Sequence, residues 1–292
     1  MGDASANAET PTRRAGWLGL IAAPALVLGL GTLVFAASDL DLGVSEVFHR
    51  TGHGWEWKDF PIFALLYDHG TLPAIALTAV ACVVLLAGLV SRSARRWRKI
   101  AAYFVLVVVI APGLLVNTVF KEHWGRPRPR DVVEFGGRHQ FERVWEYDAA
   151  SPGKSFPSGH ASMGFTLFAL YFIGRALRVS WALPAALAAL LLGSMLGLAR
   201  VAQGGHFASD VLWSAGFCYF TALLLARLMR LEAHPFYEGG KTSKATWAVL
   251  GLSAAGAGAF AVAIPYQDEK LYQADAQSGA RTQIDIELDR AH

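Results

Sequence analysis

Charge is scarce in this chain. Asp, Glu, Lys and Arg make up 17% of its 292 residues while 54% are hydrophobic, against about a quarter charged in an ordinary soluble domain. The net charge is only +3 and the basic residues lie in short clusters, so the chain lacks the basic tract of a nucleic-acid partner. Cysteine is nearly absent: Cys82 and Cys218 each stand inside an apolar run, where the residue acts as a small hydrophobe. Neither a disulfide framework nor a thiolate metal site is suggested. No repeat of fixed period and no low-complexity tract is present.

What fills the chain is apolar sequence gathered into charge-free runs of about 16–22 residues, roughly what a helix needs to cross a hydrocarbon core about 30 Å thick. The runs predict seven spans, at 16–38, 71–91, 101–120, 159–174, 181–199, 210–226 and 246–266. Backbone in lipid must satisfy its hydrogen bonds internally, so each span is expected to be helical. The fold class is therefore all-α, a polytopic membrane helical bundle. By this reading 1–15 is a cytoplasmic tail, 16–230 the bundle core, 231–266 a loop with an extra span, and 267–292 a polar tail. The fourth and sixth runs are short, and complete a crossing only if the polar residues at their starts sit at the interface or in a wet cavity.

Orientation follows from the short loops. Arg13 and Arg14, then Arg92, Arg95, Arg96, Arg98 and Lys99, then Arg175 and Arg178, then Arg227, Arg230, Lys241 and Lys244 all fall inside if the N-terminus is cytoplasmic. The first run shares two preceding arginines and the small residues Ala36 and Ala37 with a cleaved signal peptide. Its apolar stretch exceeds the usual 7–15 residues, and it is read as a retained span. The opposite face carries segments 39–70, 121–158 and 200–209, which hold Lys121, Arg126, Arg128, Arg130, Arg138, Arg143, Lys154 and Arg200. These cations run against the positive-inside pattern and call for another explanation.

Three clusters on that face supply one. Lys121-Glu122-His123-Trp124-Gly125-Arg126-Pro127-Arg128-Pro129 closes the third span; lysine offers a point charge and arginine a planar fork of donors, both suited to phosphate oxygens. Lys154-Ser155-Phe156-Pro157-Ser158-Gly159-His160-Ala161-Ser162 opens the fourth. A proline and a capping serine there leave the N–H groups of Ser158 and Gly159 where an anion binds, and His160 in the first turn is placed to donate a proton. Ala199 to Asp210 joins the fifth and sixth spans, with Gly204 and Gly205 permitting close backbone approach. If helix has begun by His206, Asp210 lies one turn on, where a carboxylate fixes the imidazole tautomer of a nucleophilic histidine. Headgroup contact and a structural His–Asp pair account for the first and third clusters singly, and ordinary capping for the serine and proline of the second but not its histidine. They do not account for all three sharing one face.

In order and spacing these residues resemble the tripartite phosphatase signature of the type 2 phosphatidic acid phosphatase family, which shares its core fold with vanadium-dependent haloperoxidases. Lys121, six residues and Arg128-Pro129 form the first part. Pro157-Ser158-Gly159-His160 forms the second; Arg200, five residues, His206, three residues and Asp210 form the third. Ala199 departs from the family's serine, which removes a hydroxyl but no charged or proton-transferring group. The seventh span exceeds the family's six-helix pattern.

The resemblance implies roles. Lys121, Arg128, Arg200, Ser158 and Gly159 would bind phosphate, His206 would attack phosphorus with Asp210 holding it, and His160 would protonate the leaving oxygen and then activate water. It implies neither metal nor other cofactor, and no obligatory protein partner. His123 and Arg126 are expected to touch headgroups or the site's own side chains instead of reacting atoms. The implied substrate is a phosphorylated lipid in the bacterial inner membrane, with the site facing the periplasm: undecaprenyl pyrophosphate, lipid A, phosphatidylglycerol phosphate or phosphatidic acid. Haloperoxidase chemistry and phosphotransfer between two lipids are the alternatives the resemblance leaves open.

Overall fold

The computed structural model describes residues 11–233. The expected seventh span at 246–266, most of the loop before it and the polar tail 267–292 lie outside the described residues, as do the first ten residues. Among the described residues the secondary structure is helical, with isolated bridges at Arg50–Gly54, Gly125–Gly153 and Val132–His139 in place of strands.

The first crossing is α1, Pro11–Ala37. A short helix, α2 (Leu40–Glu46), turns off its end. The second crossing is longer than the apolar run at 71–91 suggested. It joins α3 (Pro61–His69) to α4 (Leu72–Val90) into one membrane-capable stretch, Pro61–Val90. Proline in the first turn of each piece fits, because the N–H it lacks has no helical partner there. At 1.5 Å per residue the stretch is about 45 Å long, well beyond the hydrocarbon core. Residues 61–70, expected in a connecting segment, are thus helical and reach the site.

The third crossing starts as α5 (Arg98–Val108), widens into a π-helix over Val109–Phe120, and ends on one α-turn at Lys121–His123. Pro112 lies in the widened part, where its missing N–H would break an α-helical ladder. Side chains make up part of the bonding: Asn117 Nδ2 donates to the Pro112 carbonyl at 2.7 Å and Thr118 Oγ1 to that of Gly113 at 3.0 Å.

The run at 159–174, expected as the fourth span, is broken and is not among the five helices of the described residues that are long and apolar enough to cross a membrane. Helices α6 (Gly159–Phe165) and α7 (Phe168–Ala176) meet at a bend over Thr166 and Leu167, and together reach only about 27 Å. The fifth and sixth are the unbroken α8 (Ala182–Ala202) and α9 (Ala208–Leu228). Helix α8 packs on both α6 and α7, and α9 packs on α6 and α1. Small residues allow the close approach: a Cβ added to Gly164 would come within 2.6 Å of the Gly193 Cα.

Tyr103, Val107, Phe165, Phe168, Phe172 and Cys218 fill the interior between these helices. Tyr103 Oη donates to the Ala222 carbonyl at 3.0 Å, giving the one polar end of that ring a partner. Outward, Leu26, Leu86 and Leu191 are exposed, and Cys82 is exposed with them. Such a surface suits lipid, where burying apolar groups from water is not required. The bundle therefore positions helix ends, and segments 38–60 and 124–158 bond to the start of α9, Asp41 to Ser209 and Ser155 to Asp210.

Candidate active site

All three motif clusters converge at that end. The last turn of the third crossing brings in Lys121. A Cβ on Gly159 would lie 3.4 Å from Lys121 Nζ and only 2.7 Å from Asn117 Oδ1, so the absence of a side chain at Gly159 lets the first helix of the broken run press against the ammonium. Arg128 and Arg200 stand within electrostatic range of Lys121. The loop carrying Arg128 is tied to the third cluster by the Arg130 N–H, which donates to the Gly204 carbonyl at 3.1 Å. Arg200 is 5% exposed, and its Nη1 donates to Gln203 Oε1 at 2.7 Å.

Ser158 caps α6, its hydroxyl 3.5 Å from the Ala161 N–H. Its own N–H is not free for an anion as expected. It points at the Asp210 carbonyl, 3.4 Å away, because the start of α9 packs against the start of α6. The Ser214 hydroxyl reinforces this junction, 2.9 Å from the Ser158 carbonyl and 2.8 Å from that of Asp210.

His160 stacks on Tyr67, with ring centroids 4.7 Å apart and planes 14° from parallel. The Arg200 guanidinium also lies over the Tyr67 ring, at 4.7 Å from its centroid. Tyr67 comes from α3, the part of the second crossing assigned from sequence to a loop. One aromatic ring thus contacts a histidine and an arginine of the signature.

His206 differs from expectation in its backbone. Helix α9 begins at Ala208 with Phe207 as its cap, so the imidazole projects from the loop before the helix, and the one-turn argument for its pairing with Asp210 fails. Asp210 Oδ2 is nevertheless 3.7 Å from His206 Nδ1. The direct partner of Nδ1 is the Ser155 carbonyl, at 2.5 Å. A carbonyl only accepts, so this contact requires the proton on Nδ1 and leaves Nε2 with the lone pair.

Asp210 is engaged on every side. Its Oδ2 accepts from the Phe207 N–H at 2.8 Å and the Ser155 hydroxyl at 2.6 Å, and its Oδ1 from Arg126 Nη1 at 2.6 Å. Arg126, expected at headgroups or against the site's side chains, proves to be the latter: it is fully buried. Its Nη2 donates to Asp41 Oδ2 at 2.8 Å, its Nε to the Glu142 carbonyl at 2.9 Å, and its guanidinium lies 4.4 Å from the Phe207 ring centroid. Burial alone would lower the Arg126 pKa, but the carboxylates of Asp210 and Asp41 outweigh it and raise it. His123 bonds its own helix, with Nδ1 2.8 Å from the Val119 carbonyl. Lys154 forms an exposed ion pair with Glu122 at 2.5 Å.

Sequence reasoning missed Asp41, Tyr67 and Ser155. Asp41 lies in an unremarkable Asp-Leu-Asp-Leu stretch, and nothing in spacing links it to a site more than eighty residues away. Ser155 acts partly through its carbonyl, which no side-chain pattern records.

Burial, with Lys121 and Arg200 adding to it and Asp210 opposing, pushes His206 down to about 3. The ring is therefore neutral at physiological pH, oriented and unprotonated at Nε2, beside a group of cations. That is the state a nucleophilic imidazole needs toward a phosphorylated substrate.

A helical bundle with this cation group resembles known proteins over part of its length. Residues 101–233 match the PAP2 superfamily model. A lipid A 4'-phosphatase of Francisella tularensis subsp. novicida (strain U112) is 41% identical over 135 residues, covering 46% of this chain and 60% of the relative. One of Rhizobium leguminosarum is 39% identical over 121 residues, covering 40% and 50%. A third, of Rhizobium etli, is 37% identical over 121 residues, covering 40% and 46%. The chain thus spans about half the length of the curated relatives it matches. No solved structure matches it.

Proposed function

We propose that this protein is a metal-independent membrane lipid phosphatase acting through a phosphohistidine on His206, with lipid A as the first substrate to test. The reading is carried by the hydrogen bond from His206 Nδ1 to the Ser155 carbonyl, which presents Nε2 as a nucleophile beside Lys121, Arg128 and Arg200. The lipid A 4'-phosphatase relatives support the choice among lipids.

In the mechanism, Lys121, Arg128 and Arg200 hold the phosphate oxygens and stabilise the charge that develops on them. His206 Nε2 attacks phosphorus in line, the bond to the lipid oxygen breaks, and His160 gives that oxygen a proton. Water then attacks the phosphohistidine with His160 taking its proton, which releases inorganic phosphate and restores both histidines. Ser158 and Gly159 shape the wall opposite Lys121. The site is assigned to the periplasmic face of a bacterial inner membrane on the loop-charge argument.

The test is phosphate release by purified protein in detergent from lipid A, undecaprenyl pyrophosphate, phosphatidylglycerol phosphate and phosphatidic acid. Release from at least one lipid is expected, together with an acid-labile, base-stable phosphoprotein that His206→Ala abolishes. A phosphoprotein that persists in His206→Ala, or no release from any lipid, would overturn the reading.

A further inference from the structure

The site contains a buried carboxylate outside the matched domain. Asp41 sits on α2, far before residue 101, and is fully buried. Its Oδ2 accepts from Arg126 Nη2 at 2.8 Å and the Ser209 hydroxyl at 2.6 Å, and its Oδ1 accepts from the Ser209 N–H at 2.9 Å. Arg126 in turn holds Asp210, the carboxylate nearest His206. Asp41, Arg126 and Asp210 form a linear, buried ion triad.

We propose that Asp41 is a positioning residue for the phosphatase reaction, keeping the triad net negative so that Asp210 can stabilise the positive charge His206 acquires. The inference rests on the phosphohistidine reading. As Nε2 bonds to phosphorus while Nδ1 keeps its proton, the ring becomes cationic. With Asp210 and Arg126 alone, the carboxylate would be neutralised by a guanidinium 2.6 Å away, and the ring would face a neutral pair. Asp41 supplies the second negative charge, and the triad carries a net single negative charge toward the imidazole. In a buried setting such charges are weakly screened. Asp41 touches neither the phosphate-binding cations nor His206, so its effect is expected on the chemical step and not on substrate binding.

A double-mutant cycle separates this from a merely structural role. Asp41→Asn keeps shape and removes the charge, leaving the triad neutral; Arg126→Gln combined with it returns the net charge to that of Asp210 alone. Initial rates of lipid phosphate release and the trapped phosphoprotein are measured for wild type, both single variants and the pair.

Asp41→Asn should lower kcat by about tenfold to a hundredfold with KM within about threefold, and the double variant should recover part of that loss. Unchanged kcat in Asp41→Asn, or a double variant worse than either single one, would overturn the proposal. If Asp41→Asn does not fold, the double variant decides alone: it should be folded and active, and an inactive double variant overturns the inference. Wild-type protein that forms no phosphoprotein would instead overturn the reading on which the inference rests.

Discussion

The His206 imidazole is held by the backbone carbonyl of Ser155, 2.5 Å from Nδ1, while the Asp210 carboxylate stands 3.7 Å away. Orientation and electrostatic support thus come from different groups. Ser155 contributes twice, since its hydroxyl also donates to Asp210 Oδ2. Ser155→Ala deletes the hydroxyl and keeps the carbonyl, so the ring stays oriented and one charged hydrogen bond is lost. The expected loss in kcat/KM is on the order of tenfold, the size of one such bond, whereas His206→Gln should remove activity altogether. Steady-state phosphate release compares them. Equal losses would mean that the hydroxyl, not the carbonyl, holds the ring.

The pH response follows from the burial of His206. Its pKa is pushed down to about 3, below the usual value of about 6.5, so the proposed nucleophile stays neutral as pH falls through the ordinary histidine range. An acid limb near 6 in kcat/KM should then follow the second ionisation of the substrate phosphate, about 6, and should move when a substrate with a different phosphate pKa is used. The same shift acts on stability. Below about 6.5 the unfolded chain binds a proton that the folded chain refuses until about 3, so the fold weakens as pH drops across that window. Thermal melting in detergent at several pH values should show a shallower acid slope in His206→Gln than in wild type. A limb that stays fixed across substrates, or an unchanged melting slope, would contradict the assignment.

Cation removal should matter little. Arg128 and Arg200 each lie within electrostatic range of Lys121, where the three can neutralise phosphate charge that Mg²⁺ neutralises in many phosphoryl-transfer enzymes. Phosphate release is expected to survive EDTA. Near-complete loss, restored by added Mg²⁺, would show that the cations do not suffice.

The helical bundle and the convergence of Lys121, Gly159, Arg200, His206 and Asp210 were legible in sequence because charge-free runs and helix-end motifs are local patterns. The errors arose where the fold brings distant groups together. Arg126 read as a headgroup or supporting contact and is the latter, but nothing in the sequence reveals its partner Asp41, contributed by a short helix after the first crossing. The i,i+4 reading of His206 and Asp210 assumed a helix start that Phe207 delays. The amide of Ser158 read as free because its acceptor, the Asp210 carbonyl, belongs to another crossing. Residues 61–70 read as a connecting segment because Asp68 interrupts the charge-free run, although Gly70 continues in helical conformation from α3.

That continuation makes Tyr67 a test of the site as well as of the fold. Its ring lies 4.7 Å from the centroid of His160 and 4.7 Å from the Arg200 guanidinium carbon. Stacking and cation–π contacts are each worth about 0.5–2 kcal/mol when shielded from water, and both are lost together in Tyr67→Ala. That variant should raise KM, as Arg200 loses its platform, and lower kcat, as His160 loses its orientation, for a combined fall in kcat/KM of roughly tenfold or more. Tyr67→Phe keeps the ring and should lose markedly less. Lipid phosphate release at varied substrate concentration separates the two parameters. If Phe and Ala lose activity equally, the ring face is not what positions these residues; if neither loses activity, α3 merely borders the site.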